Sequence, residues 1–375
     1  MAWVVLLSAC RPSPTSLRMP TPQVSASPTN SPATAALASP TIVPSLTPPQ
    51  PTFSPSPTNS PSSTPTLPAT TTLLFTGVIV PARCVQAAID DRGSSEYIFD
   101  EVRDIIQQAD LAIGTLNATI SDYPPHTGCI PTYVLVGGSA NADLLAWAGF
   151  DVMSVATNHI RNCGLSNCGD RAFFDTLENL RRVGILPVGA GVNHAEAMKP
   201  VIVTLNGVRF GIVSLGHIEP MAFAGQDSPG IAVLNEENVE AAIATIRPLA
   251  DVVIVMPHWG PEDVPWPTAI QRQLAGEIVA AGADVVVGNH THVIQAIQEI
   301  EGVPVFYGLG NFVFDQWQRD HQQGVILKLY FEGTKYIGYE LIPTHVDGNG
   351  DVHIAGCEEA TEILERIEQV SQGLR

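Results

Sequence analysis

The sequence predicts a layered α/β domain built on mixed sheets, and three observations carry that expectation. From residue 73 onward, short apolar runs rich in β-branched residues alternate with segments of helical periodicity. Asn206-Gly207 stands between two apolar runs and is the strongest short hairpin signal in the chain. The last apolar runs lie close together, which predicts antiparallel pairing near the C-terminal end. Alternation with added hairpins implies mixed sheets and not a purely parallel one.

The elements follow in order. Residues 73–80 form an apolar, β-branched first strand. Helical periodicity covers 101–108, and 111–116 is a second buried strand. A helix at 142–147, a strand at 152–156 and a helix at 172–183 come next. Strands 201–205 and 208–215 flank the hairpin turn. Then come a helix at 236–246, a strand at 252–256, a helix at 270–281 and a strand at 285–287. Strands at 303–307, 325–331 and 336–342 close the pattern.

The region ahead of these elements has a different character. Residues 11–72 hold 16 of the 31 prolines, are dense in Ser and Thr, and contain no Asp or Glu. Such a segment cannot bury enough apolar surface to offset its ordering entropy, so it is expected to be a disordered tether. Ser-Pro-Thr-Asn-Ser-Pro occurs at 27–32 and again at 56–61. A Pro-rich spacer of this length reaches up to ~190 Å at ~3.1 Å per residue. Residues 1–10 end an apolar run in Leu7-Ser8-Ala9-Cys10, which resembles a bacterial lipobox with Cys10 as the lipidated residue. No Lys or Arg precedes that run, and it is short for a signal peptide, as a truncated one would be. The expected organisation is a lipoprotein signal over 1–10, a tether over 11–72 and one folded domain over 73–375. This predicts an extracytoplasmic protein of a bacterial cell envelope, held on the membrane by a lipid anchor.

Charge excludes one class of partner. Beyond the tether the chain has 16 Lys and Arg against 37 Asp and Glu, a net charge near −21. That domain lacks the basic footprint of a nucleic-acid binder. With Cys10 set aside, Cys84, Cys129, Cys163, Cys168 and Cys357 remain, and no two form a Cys-x-x-Cys pair. A zinc ribbon or thioredoxin-type motif is therefore unsupported. In an oxidising compartment disulfides are expected, first Cys163 with Cys168 and then Cys84 with Cys129, against the alternative of free buried thiols.

Candidate ligands gather where strands end, the usual place for ligands in open α/β sheets. The strand at 152–156 runs into Thr157-Asn158-His159, that at 252–256 into Pro257-His258-Trp259-Gly260, and that at 285–287 into Gly288-Asn289-His290-Thr291-His292. An extended backbone would turn His290 and His292 to one side. Neutral imidazoles suit zinc, iron or manganese, so the pattern predicts a divalent-metal site.

These residues carry a resemblance to a known family. Ser154-Val155-Ala156-Thr157-Asn158-His159, Gly189-Ala190-Gly191-Val192-Asn193, His258-Trp259-Gly260-Pro261-Glu262, the run from Gly282 to Val293, and Tyr307-Gly308-Leu309-Gly310-Asn311-Phe312 are similar to the bacterial capsule-synthesis, CapA-like (poly-γ-glutamate capsule) proteins of the calcineurin-like metallophosphatase superfamily. The resemblance implies a four-layer α/β/β/α sandwich with a two-metal cleft. It also implies a partner that is an anionic polymer such as poly-γ-glutamate.

The departures from that pattern are as informative. Where the family's first strand ends Gly-Asp, this chain has Gly77-Val78; where the second ends Asn-Leu-Glu, it has Thr115-Leu116-Asn117. The motif Asn-His-x-x-Asp-x-Gly appears as Asn158 to Gly164 with Asn162 at the acidic position. By analogy one metal position would use Asn158, His258 and His290 with Asn117 as a weak fourth ligand, while the other keeps only His292. At most one ion is expected. The resemblance gives His159 the general-acid role, which neutral Asn162 supports less than a carboxylate would. Three readings stay open: a capsule protein that binds or processes an anionic polymer with little catalysis, a one-ion metallohydrolase, and a structural lipoprotein that kept only the fold.

Overall fold

The computed structural model describes residues 70–126, 128–162 and 169–374. Cys10, the tether up to residue 69, and the Cys163 and Cys168 pair lie outside the described residues.

Two sheets face each other. The first has eight strands, ordered Val352–Ile354, Lys335–Val346, Gln323–Glu332, Thr70–Ile79, Leu111–Leu116, Val152–Ser154 and Leu186–Val188, with Asn311–Val313 beside the second half of Thr70–Ile79. Its pairing is parallel from Thr70–Ile79 to Leu186–Val188 and antiparallel on the C-terminal side. The second sheet has six strands, ordered Ile297–Ile300, Val303–Phe306, Val285–Val287, Val252–His258, Val208–Gly216 and Val201–Leu205. Its centre is parallel, and an antiparallel hairpin closes each edge. At the Val201–Leu205 edge Asn206 and Gly207 both take positive φ, the conformation a two-residue type I′ turn requires.

The period-2 alternation of the strands builds the layers. Leu73 and Phe75 join Ile254, Met256, Val285 and Val287 in the core between the sheets. Leu74 points the other way, into a cluster with Ile106, Leu145 and Phe173 on the helices of the first sheet's outer face. Val253, Val255 and Val286 pack outward against Ile243, Ile246, Leu274 and Ile278. Those residues belong to the helices Glu236–Ile246 and Ala269–Ala280, whose N-termini are capped by Asn235 and by a Thr268–Gln271 capping box. The four-layer α/β/β/α sandwich follows, with mixed sheets as the sequence predicts.

Several boundaries move. The first strand begins three residues earlier, at Thr70, and the strand at 152 ends at Ser154. Only Arg103–Gln107 of the 101–108 segment is α-helical. The helix Cys357–Gln372 is an addition; its Ala360, Ile363 and Ile367 cover the inter-sheet core. Cys84, at the start of the helix Cys84–Arg92, is disulfide-bonded to Cys129. Gly77 permits the closest backbone approach in the central strand, since a Cβ there would stand 2.2 Å from the Gly310 carbonyl oxygen.

Candidate metal centre

The parallel strands of both sheets deliver their C-terminal ends to one cleft. Hydrogen bonds cross between the sheets there: Ser154 Oγ with Ser214 Oγ at 2.7 Å, and Asn289 Nδ2 to Thr115 Oγ1 at 2.8 Å. His258 is the last residue of Val252–His258, and its carbonyl accepts from the backbone N–H of His217. His290 and His292 are presented differently from the sequence expectation. Neither is extended: φ is 107° at His290 and 59° at His292, both in the left-handed region. Such backbone costs on the order of 1–3 kcal/mol per residue and persists where the surroundings hold it. The Asn289 N–H to Pro257 bond and the Thr291 Oγ1 bond to the Val293 carbonyl hold this turn.

Three donor atoms from three strand ends converge. His258 Nε2 lies 2.9 Å from Asn158 Oδ1 and 3.1 Å from His290 Nδ1. An imidazole N–H at His258 Nε2 could satisfy only one of these neighbours, whereas a cation at their focus satisfies all three lone pairs. Ligands of a tetrahedral zinc at ~2.0–2.1 Å stand about 3.3 Å from one another, close to the spacing found here. All three residues are buried. The donor set fits one divalent ion.

The second position does not fit one. Val78 is fully buried, apolar, and donates its N–H to the Gly310 carbonyl. Asn117 accepts the His159 backbone N–H on Oδ1 at 3.2 Å. His292 Nδ1 is 2.8 Å from Asn311 Oδ1, and its Nε2 stands 3.8 Å from Glu262 Oε1. No group of three or more His, Cys, Asp or Glu side chains able to hold an ion occurs among the described residues.

Burial sets the electrostatics of the cluster. It pushes His258 well below the ordinary histidine range, with His290 adding to the effect. Burial, then the neighbouring His292, pushes His290 down to about 3 and His159 down to about 4. His292 is also lowered by burial, against a hydrogen bond to Asn311 and the charge of Glu262. Neutral imidazole is the ligating form, so the cluster is ready for a cation at pH 7. These shifts also predict acid lability. Unfolded histidines take up protons as pH falls through about 6.5, while the folded ones do not until about 4 and 3. Chelator-treated protein should therefore lose stability steadily from pH 6.5 to 4, as urea midpoints at successive pH values will record. A midpoint flat across that window would contradict the buried neutral assignment.

His159 sits beside the cluster. Its Nδ1 is 3.2 Å from the Tyr133 carbonyl oxygen and 2.6 Å from Asn162 Nδ2. Asn162 also donates to the Tyr133 carbonyl at 2.8 Å. The Tyr133 segment is joined to the helix Cys84–Arg92 by the Cys84–Cys129 disulfide, and Arg83 donates to the Thr132 carbonyl. Arg83 Nε also bonds both oxygens of buried Asp315. Sequence reading passed over Arg83, Tyr133, His217 and Asn311. Asn311 alone carried a signal, within the Gly310-Asn311-Phe312 motif.

Comparisons with known proteins agree with this architecture. A phosphatase of known structure from Mycoplasma pneumoniae superposes with a TM-score of 0.50 over 74% of this chain and 94% of that one, at 12% identity, a likeness of fold alone. The PGA biosynthesis protein CapA of Bacillus subtilis is 29% identical over 255 residues, covering 67% of this chain and 66% of that protein. The capsule biosynthesis protein CapA of Bacillus anthracis is 29% identical over 307 residues, covering 79% of this chain and 72% of that protein. The chain thus spans about two thirds of the Bacillus subtilis relative's length. The model of one family, described as bacterial capsule synthesis protein PGA_cap, matches residues 72–316, which hold the whole second sheet and five of the first sheet's eight strands. The chain belongs to that family.

Proposed function

We propose that this protein binds or processes an anionic polymer of the poly-γ-glutamate type during capsule synthesis, at a centre that holds one divalent ion and has little phosphoesterase activity. The single observation carrying this reading is the contrast within one cleft. Asn158, His258 and His290 converge on a cation position, while the neighbouring position has Val78 and Asn117 where carboxylates would be needed. Asn158, His258 and His290 would hold the ion, which when bound supplies positive charge to an oxyanion. Two closely spaced cations require a carboxylate bridge to offset their repulsion, and neutral Asn117 does not supply it. His159, pushed down to about 4, is neutral at pH 7 and lacks the proton of a strong general acid. The names of the Bacillus relatives, for PGA and capsule biosynthesis, support the choice of polymer.

The test is elemental analysis combined with polymer binding. The natural protein should carry no more than one zinc, manganese or iron per chain, and His258→Ala should carry close to none. Poly-γ-glutamate should be retained by the natural protein, and hydrolysis of an aryl phosphodiester should stay near background. Robust ester hydrolysis that disappears in His258→Ala would favour the one-ion hydrolase reading instead.

The proposal extends to location. No helix among the described residues is long and apolar enough to cross a membrane. Leu7-Ser8-Ala9-Cys10 supports a lipid anchor at Cys10, with the Pro-rich segment as tether to an extracytoplasmic domain. Cys10→Ser expressed in a bacterial host should move the protein from the membrane to the soluble fraction. Unchanged fractionation would contradict the anchor.

A further inference from the structure

Asn117 stands where the family pattern places a bridging carboxylate, and its amide has a definite orientation. The His159 backbone N–H, a donor with no acceptor capacity, reaches Asn117 Oδ1 at 3.2 Å. The opposite amide orientation would set two donors against each other, so Nδ2 is the free arm. That Nδ2 is fully buried and has no hydrogen-bond partner among the described residues. Asn289 offers a contrast: among the described residues its amide's only partner is Thr115 Oγ1, a hydroxyl that can give or accept, so its amide is not oriented in this way.

A buried N–H without an acceptor is destabilising, and a cation cannot relieve it. Only an acceptor can. No carboxylate among the described residues is hydrogen-bonded to Asn117, His159, His258 or His290. Arg83 adds positive charge on the His159 side, although Asp315 is paired with it.

We infer that the position beside Asn117, which the family pattern gives to a second metal, is an oxyanion subsite in this chain, in which Asn117 Nδ2 donates a hydrogen bond to a carboxylate or phosphate oxygen of the bound ligand. This rests on the one-ion reading above and assigns Asn117 the role of ligand donor in place of weak metal ligand. The exchange of a bridging carboxylate for an amide thus reverses what the position recognises, from a cation to an anion. Asn117 is hydrogen-bonded to His159, the residue that follows Asn158, so a ligand oxygen held there would approach the ion position from the Asn158 side.

The test follows the Asn117 side-chain amide directly. In 15N-labelled full-length protein that NH2 signal is assigned through bonds, so its identification needs no variant. Inorganic phosphate and a short γ-linked glutamate oligomer are titrated separately, with zinc and after chelation. The Asn117 signal should shift saturably with at least one probe. Asn117→Asp keeps the oxygen that accepts from His159 but replaces the donor with a charge, and should weaken that binding about tenfold or more. A response to the oligomer alone identifies a carboxylate ligand, and a response to phosphate alone identifies a phosphoryl ligand; either supports the subsite. An unshifted signal with both probes, or equal affinity in Asn117→Asp, overturns it and leaves a buried water as the partner of Nδ2. Zinc content is measured on the same samples. One ion with an unshifted signal defeats this inference and spares the one-ion reading, and no ion with a shifted signal does the reverse.

Discussion

The variant Val78→Asp with Asn117→Glu should bind close to two divalent ions per chain, where the natural sequence should bind no more than one. Val78 and Asn117 flank the half of the cleft in which His292 is the only strong ligand left. Adding a terminal carboxylate and a bridging one restores the charge that holds two cations about 3.5–4 Å apart. Either change alone should do less, since both carboxylates serve the same ion. Both positions are fully buried, so without metal the double variant confines two unpaired carboxylates. Each buried, unpaired charge costs several kcal/mol, and the metal-free variant should melt well below the natural protein. Zinc or manganese should restore most of that loss. Aryl phosphodiester hydrolysis should rise from background only in the metal-loaded double variant. Two tightly bound ions in the natural protein would falsify the degraded second position. In that case Glu262 would be the nearest carboxylate to serve, because Asp315 is committed to Arg83 and to the Cys84 N–H.

The second large effect is on stability. Trp259→Ala should cost about 3–5 kcal/mol, the usual range for removing a large buried aromatic. Trp259 is fully buried and stacks on Tyr307 with ring centroids 5.6 Å apart. Its indole N–H donates to the Tyr307 carbonyl at 2.9 Å. Gly288 leaves room for that bond, since a Cβ there would come within 2.4 Å of both the indole nitrogen and the carbonyl oxygen. Trp259 also follows His258 directly, and its backbone N–H bonds the Asn289 carbonyl, so the same side chain supports two of the loops that meet at the ion position. Urea denaturation should show the loss, and metal affinity should fall with it. Trp259→Phe keeps most of the packing but orphans the Tyr307 carbonyl, and should cost about 1–3 kcal/mol. An alanine variant as stable as the natural protein would show that the loops stand without this packing.

The long strands and the amphipathic helices were legible because burial leaves a mark on their composition. Val252–His258 and Gln323–Glu332, buried along nearly their whole length, carry long apolar runs, while Glu236–Ile246 shows a helical period behind its Asn235 cap. Leu186–Val188, Asn311–Val313 and Val352–Ile354 are three residues each, too short to show any. Cys84–Arg92 buries only Val85 and Gln86 and so presents no apolar stripe. The helix Cys357–Gln372 carries a signal in the sequence, with apolar residues at 360, 363 and 367 among glutamates.

At the site, residue types were decided by the sequence and directions by the fold. The sequence by itself determined that the strand ends carry histidine and asparagine, that valine and asparagine stand where carboxylates are needed, and hence how much charge the cleft can offer a cation. It did not contain the meeting of Asn158 with His258 across the two sheets at 2.9 Å, because that contact joins residues 100 apart in the chain. Nor did it contain the left-handed backbone at His290 and His292, which the surrounding bridges impose against local preference. The aim of the Asn117 amide is of the same kind. An asparagine is both donor and acceptor, and only the tertiary position of the His159 N–H settles which of the two it turns toward a ligand.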